Sequence, residues 1–208
     1  MTIPLFKKLY KAFPLSFCLI TSLHAHSVDQ ELKACKPALL AELNEQKRLK
    51  VGGCPVAEKL VTWLGITRNP NQFTPRELIT FLDTNTHWPH HEKLCRNAED
   101  VISTKASPQD MLAWFNKYPP QTPEGVMHYA KTLLSHKQNQ KAAQVVQKAW
   151  ASLSLSKDQE KKFLAQFGHL LQSTHHLARL DFLLQEEEVG DAKRLLPRLS
   201  SGHQKIAH

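Results

Sequence analysis

The sequence predicts an all-α fold, a right-handed α-superhelix or solenoid built of stacked helical hairpins. Three observations lead there. Apolar residues recur at helical spacing from residue 32 onward. Only seven glycines occur in 208 residues, and no run alternates apolar with polar in the manner of a half-buried strand. Two stretches of the chain repeat an earlier stretch at a fixed offset, as stacked hairpins do.

Residues 1–27 stand apart from that fold and read as a signal peptide. Lys7, Lys8 and Lys11 form a positive start with no acid near them, and Phe13 to Leu23 is apolar. That run is too short for a bilayer, which takes about 20 residues. Small residues at Ala25 and Ser27 offer cleavage points, while bulky Phe17 before Cys18 argues against a lipidated cysteine. Cleavage and export to the periplasm are therefore expected, with no stable membrane span. Loss of the three lysines lowers the formal charge from +8 to +5. That mild excess suits an anionic polymer or membrane surface, and no basic block interleaved with aromatics points to nucleic acid.

An N-terminal helical hairpin is expected over 28–70. Leu32, Cys35, Leu39 and Leu43 share helical spacing, and Gly52-Gly53 ends that helix. Pro55 then sits where a first turn accepts proline, followed by a stripe of Val56, Leu60, Trp63 and Leu64. The superhelical repeat domain is expected over 71–208. Thr74-Pro75-Arg76-Glu77 and Ser107-Pro108-Gln109-Asp110 each supply a hydroxyl N-cap, a proline and an acid three residues on. At this offset of 33, Leu78 aligns with Met111, Phe81 with Trp114 and Leu82 with Phe115. A second echo at an offset of 50 pairs Leu133-Leu134 with Leu183-Leu184, Ala142 with Ala192 and Val145-Val146 with Leu195-Leu196. Units of this kind cannot bury an apolar face alone and must stack on neighbours.

Export leaves Cys35, Cys54 and Cys95, so one disulfide and one odd thiol are expected, with the pairing open. A helix over 38–50 would hold Cys35 and Cys54 about 20 Å apart at 1.5 Å per residue, beyond disulfide reach unless the chain folds back before Pro37.

Chemistry-bearing motifs are scarce. Serine-hydrolase, phosphate-loop, dinucleotide and zinc-protease patterns are all missing from the sequence. His87, His91 and Cys95 supply three conceivable zinc ligands, yet Pro89 opening a helix would leave His90 and His91 exposed in its first turn, and no metal or cofactor is assigned. His175-His176 reads as capping or surface. Trp63, Trp88, Trp114 and Trp150 fit core stripes rather than a sugar-stacking platform. Among the acids, Glu77 and Asp110 read as capping groups, Glu186-Glu187-Glu188 as a solvated turn, and Glu160, before Lys161-Lys162, as polar-face. Asp181 alone, between Leu180 and Phe182, is a candidate for partial burial beside Arg179. No catalytic residue is assigned.

From Trp63 to Leu199 the chain resembles the helical superhelix of soluble lytic murein transglycosylases. The resemblance rests on Phe81-Leu82 with Trp88-Pro89, then Leu94, Arg96, Ala98 and Glu99. It continues in Trp114-Phe115 leading to Pro119-Pro120-Gln121-Thr122-Pro123-Glu124-Gly125, and in Ala142-Ala143 with Ala149-Trp150. Its most specific stretch is Phe163-Leu164-Ala165-Gln166-Phe167-Gly168, with His176 and Ala178-Arg179-Leu180-Asp181-Phe182-Leu183-Leu184. The resemblance implies a long α-superhelix and a peptidoglycan context. In that family a lysozyme-like domain near the C-terminus cleaves the glycan with a glutamic acid, typically followed by serine, leaving an anhydro sugar. No Glu-Ser dipeptide occurs here, so the family's catalytic residues map onto nothing in this sequence. The expectation is an exported scaffold arm truncated before its catalytic domain, meeting glycan strands or a separate catalytic domain. A periplasmic helical-repeat (tetratricopeptide-like) adaptor for proteins is the alternative.

Overall fold

The computed structural model describes residues 55–199 together with Lys33, Lys36 and Leu40, and the described residues form helices joined by short turns, with no strand among them. The signal segment, Cys35, Cys54 and, apart from Leu40, the helix expected over 38–50 lie outside the described residues. The chain divides into two units, 1–65 and 66–208, the division falling inside the first described helix.

That helix, α1 (Pro55–Arg68), starts at the proline, with an arginine in its last turn, where the helix dipole favours a cation. Its buried positions are Ala57, Val61 and Ile66, whereas Val56 is 47% exposed. The expected stripe through Val56 is thus rotated. Apolar residues run almost round this helix, so periodicity alone did not select a face, and Leu60, Trp63 and Leu64 end half-buried.

The second unit continues through α2 (Pro75–Thr84), α3 (His91–Lys105), α4 (Pro108–Lys117), α5 (Pro123–Ser135), α6 (Asn139–Ser152), α7 (Lys157–Phe167), α8 (Ser173–Gln185) and α9 (Val189–Leu195). Caps set the starts. Thr74 Oγ1 accepts from the Glu77 amide while Glu77 accepts from the Thr74 amide, a complete capping box. Ser107 accepts from the Asp110 amide at 3.1 Å, and Thr122 accepts from the Gly125 amide at 3.0 Å. Ser156 and Gln159 make a second capping box on α7.

Both sequence repeats coincide with whole elements. Helices α2 and α4 have the same length at the 33-residue offset, and Leu78, Phe81 and Leu82 are buried just as Met111, Trp114 and Phe115 are. Helices α5 and α8 span Pro123–Ser135 and Ser173–Gln185, and α6 and α9 begin at Asn139 and Val189, all at the 50-residue offset. The turns match too. Lys137 (φ 59°) and Glu187 (φ 58°) occupy the same left-handed position. In each turn the next amide reaches back to Leu133 O (2.9 Å) or Leu183 O (2.8 Å), and the left-handed residue's own amide bonds Leu134 O or Leu184 O, which is a Schellman closure.

Neighbouring helices pack as pairs: α2 on α3, α4 on α5, α5 on α6, and α8 on α9. Next-nearest helices also pack, α3 on α5 and α6 on α8. Buried Val146, Ala149 and Trp150 of α6 share one core with Phe163 and Phe167 of α7 and Leu180 and Leu183 of α8. Buried Ala142 and Ala192 stand at equivalent places in the two repeated hairpins, where a small side chain lets paired helices approach closely.

Candidate functional site

Three constellations carry the polar chemistry of the second unit. The first is a lock built on Glu99 of α3, whose side chain is buried. The loop entering α5 turns its donors onto this carboxylate: the Gln121 amide at 2.6 Å, the Thr122 amide at 2.8 Å and Thr122 Oγ1 at 2.6 Å. Gly125 is required beside it, because a Cβ there would collide with Glu99 Oε2. Burial raises the carboxyl's pKa above the ordinary carboxylate value, and the three donors, with Arg96, offset only part of that rise. Two sequence stretches far apart in the chain, Leu94–Glu99 and Pro119–Gly125, are therefore one structural joint. Both Glu99 oxygens are occupied by the chain's own donors. The one sequence signal for this role is an acid on the apolar face of α3, one turn beyond Cys95.

The second constellation lies beside this joint, a pocket of about 400 Å³ whose walls include His91, Glu92, Cys95, Tyr118, Gln121 and Lys148. Helix α3 begins at His91, two residues later than the Pro89 start the sequence suggested, with His90 left-handed at φ 57° before it. His91 is consequently half-buried rather than exposed, its Nε2 2.9 Å from Leu82 O. Trp88 sits edge-on to Phe81 at 5.8 Å and plugs the turn. Cys95 is a free, buried thiol. Its sulfur is 3.7 Å from His91 Nδ1 and 3.9 Å from Nε2. Such near-equal distances put it across the ring rather than on a nitrogen lone pair, so the two do not form a nucleophile–base pair. Burial first, then Glu99, Asp83 and Glu92, push the thiol's pKa up to about 12, and a protonated thiol is a poor nucleophile. Tyr118 and Lys117 both donate to Asp83 Oδ1, at 3.0 and 2.7 Å, tying the end of α4 to the end of α2. Among the described residues no three His, Cys, Asp or Glu side chains are grouped to hold a metal ion.

The third constellation is a charged cluster joining α6, α7, α8 and α9. Arg179 is fully buried. Its Nη1 donates to Trp150 O (2.8 Å) and Leu153 O (3.2 Å), closing the end of α6, and its guanidinium lies 4.3 Å from the Trp150 ring centroid. Nη2 stands 3.9 Å from Glu160 Oε2, a charge pairing without a hydrogen bond. Arg194 reaches the same Glu160 oxygen at 3.4 Å and Asp191 at 2.6 Å. Burial lowers the Arg179 pKa, while Glu160 and Asp191 oppose that shift.

Two sequence readings change here. Glu160 is buried, not polar-face, because Arg179 and Arg194 reach it from other helices. Asp181 is exposed, because the buried face of α8 runs through Arg179, Leu180 and Leu183. The histidine pair divides. His175 Nδ1 accepts from the Gln172 amide at 2.9 Å as a cap. His176 is half-buried edge-on to Trp150 at 5.6 Å, and burial lowers its pKa. Trp114 and Trp150 are core residues; Trp63 and Trp88 are half-buried.

Against these sites stands a groove of about 650 Å³ beside α7, lined by Lys157, Lys161, Leu164, Arg194 and Arg198, with Asp158 and Glu160. No described helix is long and apolar enough to cross a membrane. No protein-family model matches the chain, and neither a curated protein nor a solved structure does.

Proposed function

We propose that this chain is an exported helical scaffold arm, a right-handed superhelix of stacked hairpins similar to the superhelical part of a soluble lytic murein transglycosylase. In this reading it works in the periplasm and positions peptidoglycan strands or a separate catalytic domain. The observation that carries the scaffold part is the register of the repeats: elements, buried faces and a left-handed turn residue recur at one offset. A chain whose helices pack on nearest and next-nearest neighbours grows by adding hairpins, and such growth produces long binding surfaces rather than one enclosed pocket. The glycan context comes from the resemblance. Its stretches meet in space at two places, Glu99 with the loop from Gln121 to Gly125 and Arg179 with Trp150.

The test is co-sedimentation of the chain, freed of residues 1–27, with purified insoluble peptidoglycan. Saturable binding that withstands moderate salt is expected. A protein that stays in the supernatant at every concentration contradicts the glycan role.

One observation favours the adaptor reading instead. Leu184 and Val189, both 54% exposed, flank the α8–α9 turn, whereas the equivalent Leu134 is half-buried and packed on the core. Exposed apolar residues at a turn suit a protein contact. Under that reading Leu184→Asp abolishes capture of a protein partner and leaves glycan sedimentation at the background level.

A further inference from the structure

The groove beside α7 differs from the other constellations in having cations to spare. Lys157 and Lys161 stand one helical turn apart on α7, and Arg194 and Arg198 are likewise four residues apart at the end of α9 and in the short turn after it. Both pairs line the same space. Lys157, Lys161 and Arg198 are exposed and have no ion-pair partner among the described residues.

The acids nearby do not cancel this charge. Glu160 on the groove wall is already matched by Arg179 and Arg194, and Asp191 is matched by Arg194. Counting the buried layer, five cations (Lys157, Lys161, Arg179, Arg194 and Arg198) meet three carboxylates (Asp158, Glu160 and Asp191). The start of α7 adds partial positive charge of its own, since Lys157 is the first residue of the helix.

Beneath the wall lies a second, independent sign. Arg179 is fully buried, yet its Nε and Nη2 have no hydrogen-bond partner, and Nη2 is directed at Glu160 on the groove side. Buried guanidinium donors are ordinarily all satisfied, so these two N–H groups leave unused hydrogen-bonding capacity beneath the groove wall, while the Arg179 charge itself is paired with Glu160. Leu164 gives the groove an apolar patch between the charged rims.

We propose that this groove is a binding site for an oxyanion, a ligand that presents a carboxylate or a phosphate to Lys157, Lys161 and Arg198. Its volume falls in the range of about 300–1,000 Å³ typical of small-molecule sites. Such a space holds a small multivalent acid or one charged segment of a polymer. The proposal does not depend on the scaffold reading, because the groove is lined entirely by α7, α9 and the short turn after α9.

The experiment titrates the full chain with inorganic phosphate and, separately, with citrate, following backbone amide shifts by NMR in a non-coordinating buffer. Saturable shifts confined to the segments around Lys157–Lys161 and Arg194–Arg198 are expected, weakening as sodium chloride is raised. The double variant Lys161→Glu, Arg198→Glu should weaken binding by at least about tenfold, since it replaces two attractive charges with two repulsive ones. A control with the same change of net charge, Lys93→Glu with Lys131→Glu, should bind like the parent. Response to phosphate alone or citrate alone names the preferred group, and response to both supports the shared chemistry. The proposal is overturned if neither probe saturates, if shifts scatter over the surface lysines, or if both double variants weaken binding equally. Because Lys161 and Arg198 are exposed and unpaired, circular dichroism of their variant should match the parent. The neutral pair Lys161→Gln, Arg198→Gln gives an intermediate loss if charge is the cause.

Discussion

Burying a carboxylate costs several kcal/mol unless its lone pairs are met, and Glu99 meets this demand with donors from a loop more than 20 residues away. The same geometry explains Gly125: the carboxylate occupies the space that a larger residue's Cβ would take. Gly125→Ala should therefore destabilise the protein by about 1–3 kcal/mol, the range for overpacking a tight site. Because the hard collision is with Glu99, while Thr122 Oγ1 at 3.0 Å is only a tight contact, most of that loss should vanish in a Glu99→Ala background. Urea melts of the two single variants and the double variant measure the coupling. Strictly additive losses would show that Gly125 is needed for another reason. Arg179 solves a different problem, since it supplies donors to the carbonyls that α6 leaves open at its end. Neither residue was readable from spacing alone. Glu160 sits in Lys157-Asp158-Gln159-Glu160-Lys161-Lys162, which looks like a solvated face, and only long-range pairing with Arg179 and Arg194 makes its burial tolerable.

At the scale of helices and turns, the starts were written plainly in the sequence. Thr74-Pro75, Ser107-Pro108 and Thr122-Pro123 each join a hydroxyl cap to a residue whose fixed φ suits a first turn, and helices begin at all three prolines. The start of α3 was misplaced by two residues because Pro89 imitates that signal without a capping hydroxyl before it; Trp88 precedes it instead. The face of α1 was missed for the opposite reason, an excess of apolar residues. The Schellman turns carry a cost the sequence also conceals. Lys137 and Glu187 hold a left-handed conformation that glycine adopts freely and that costs other residues about 1–2 kcal/mol. Part of that gain is lost because glycine leaves a freer unfolded chain, at about 0.5–1 kcal/mol. Lys137→Gly and Glu187→Gly should each stabilise the protein by about 0.5–1 kcal/mol, raising the urea midpoint with little change in its slope. Lower midpoints in both would mean that the two side chains hold their turns by contacts stronger than the backbone strain.

On the scale of the whole molecule, the proposal of a scaffold arm built of stacked hairpins rests on the register of the repeats in the second unit. Glycoside cleavage needs a carboxyl held protonated beside the leaving oxygen, with an open position for the sugar. Of the two buried carboxyls described, Glu99 has both oxygens filled by loop donors, and Glu160 is set between two arginines. Glu77 and Asp110 serve caps, Glu187 and Glu188 lie in an exposed turn, and Asp181 is exposed on α8. The most direct measurement is a product assay in which the purified chain alone is incubated with peptidoglycan and the soluble fraction is analysed by mass spectrometry. The scaffold account predicts no release of anhydro-muropeptides above a buffer blank, even where the protein sediments with the polymer. Clear release that disappears in a Glu99→Gln, Glu160→Gln or Asp181→Asn variant of unchanged helicity would contradict it and locate an active site on that residue's helix.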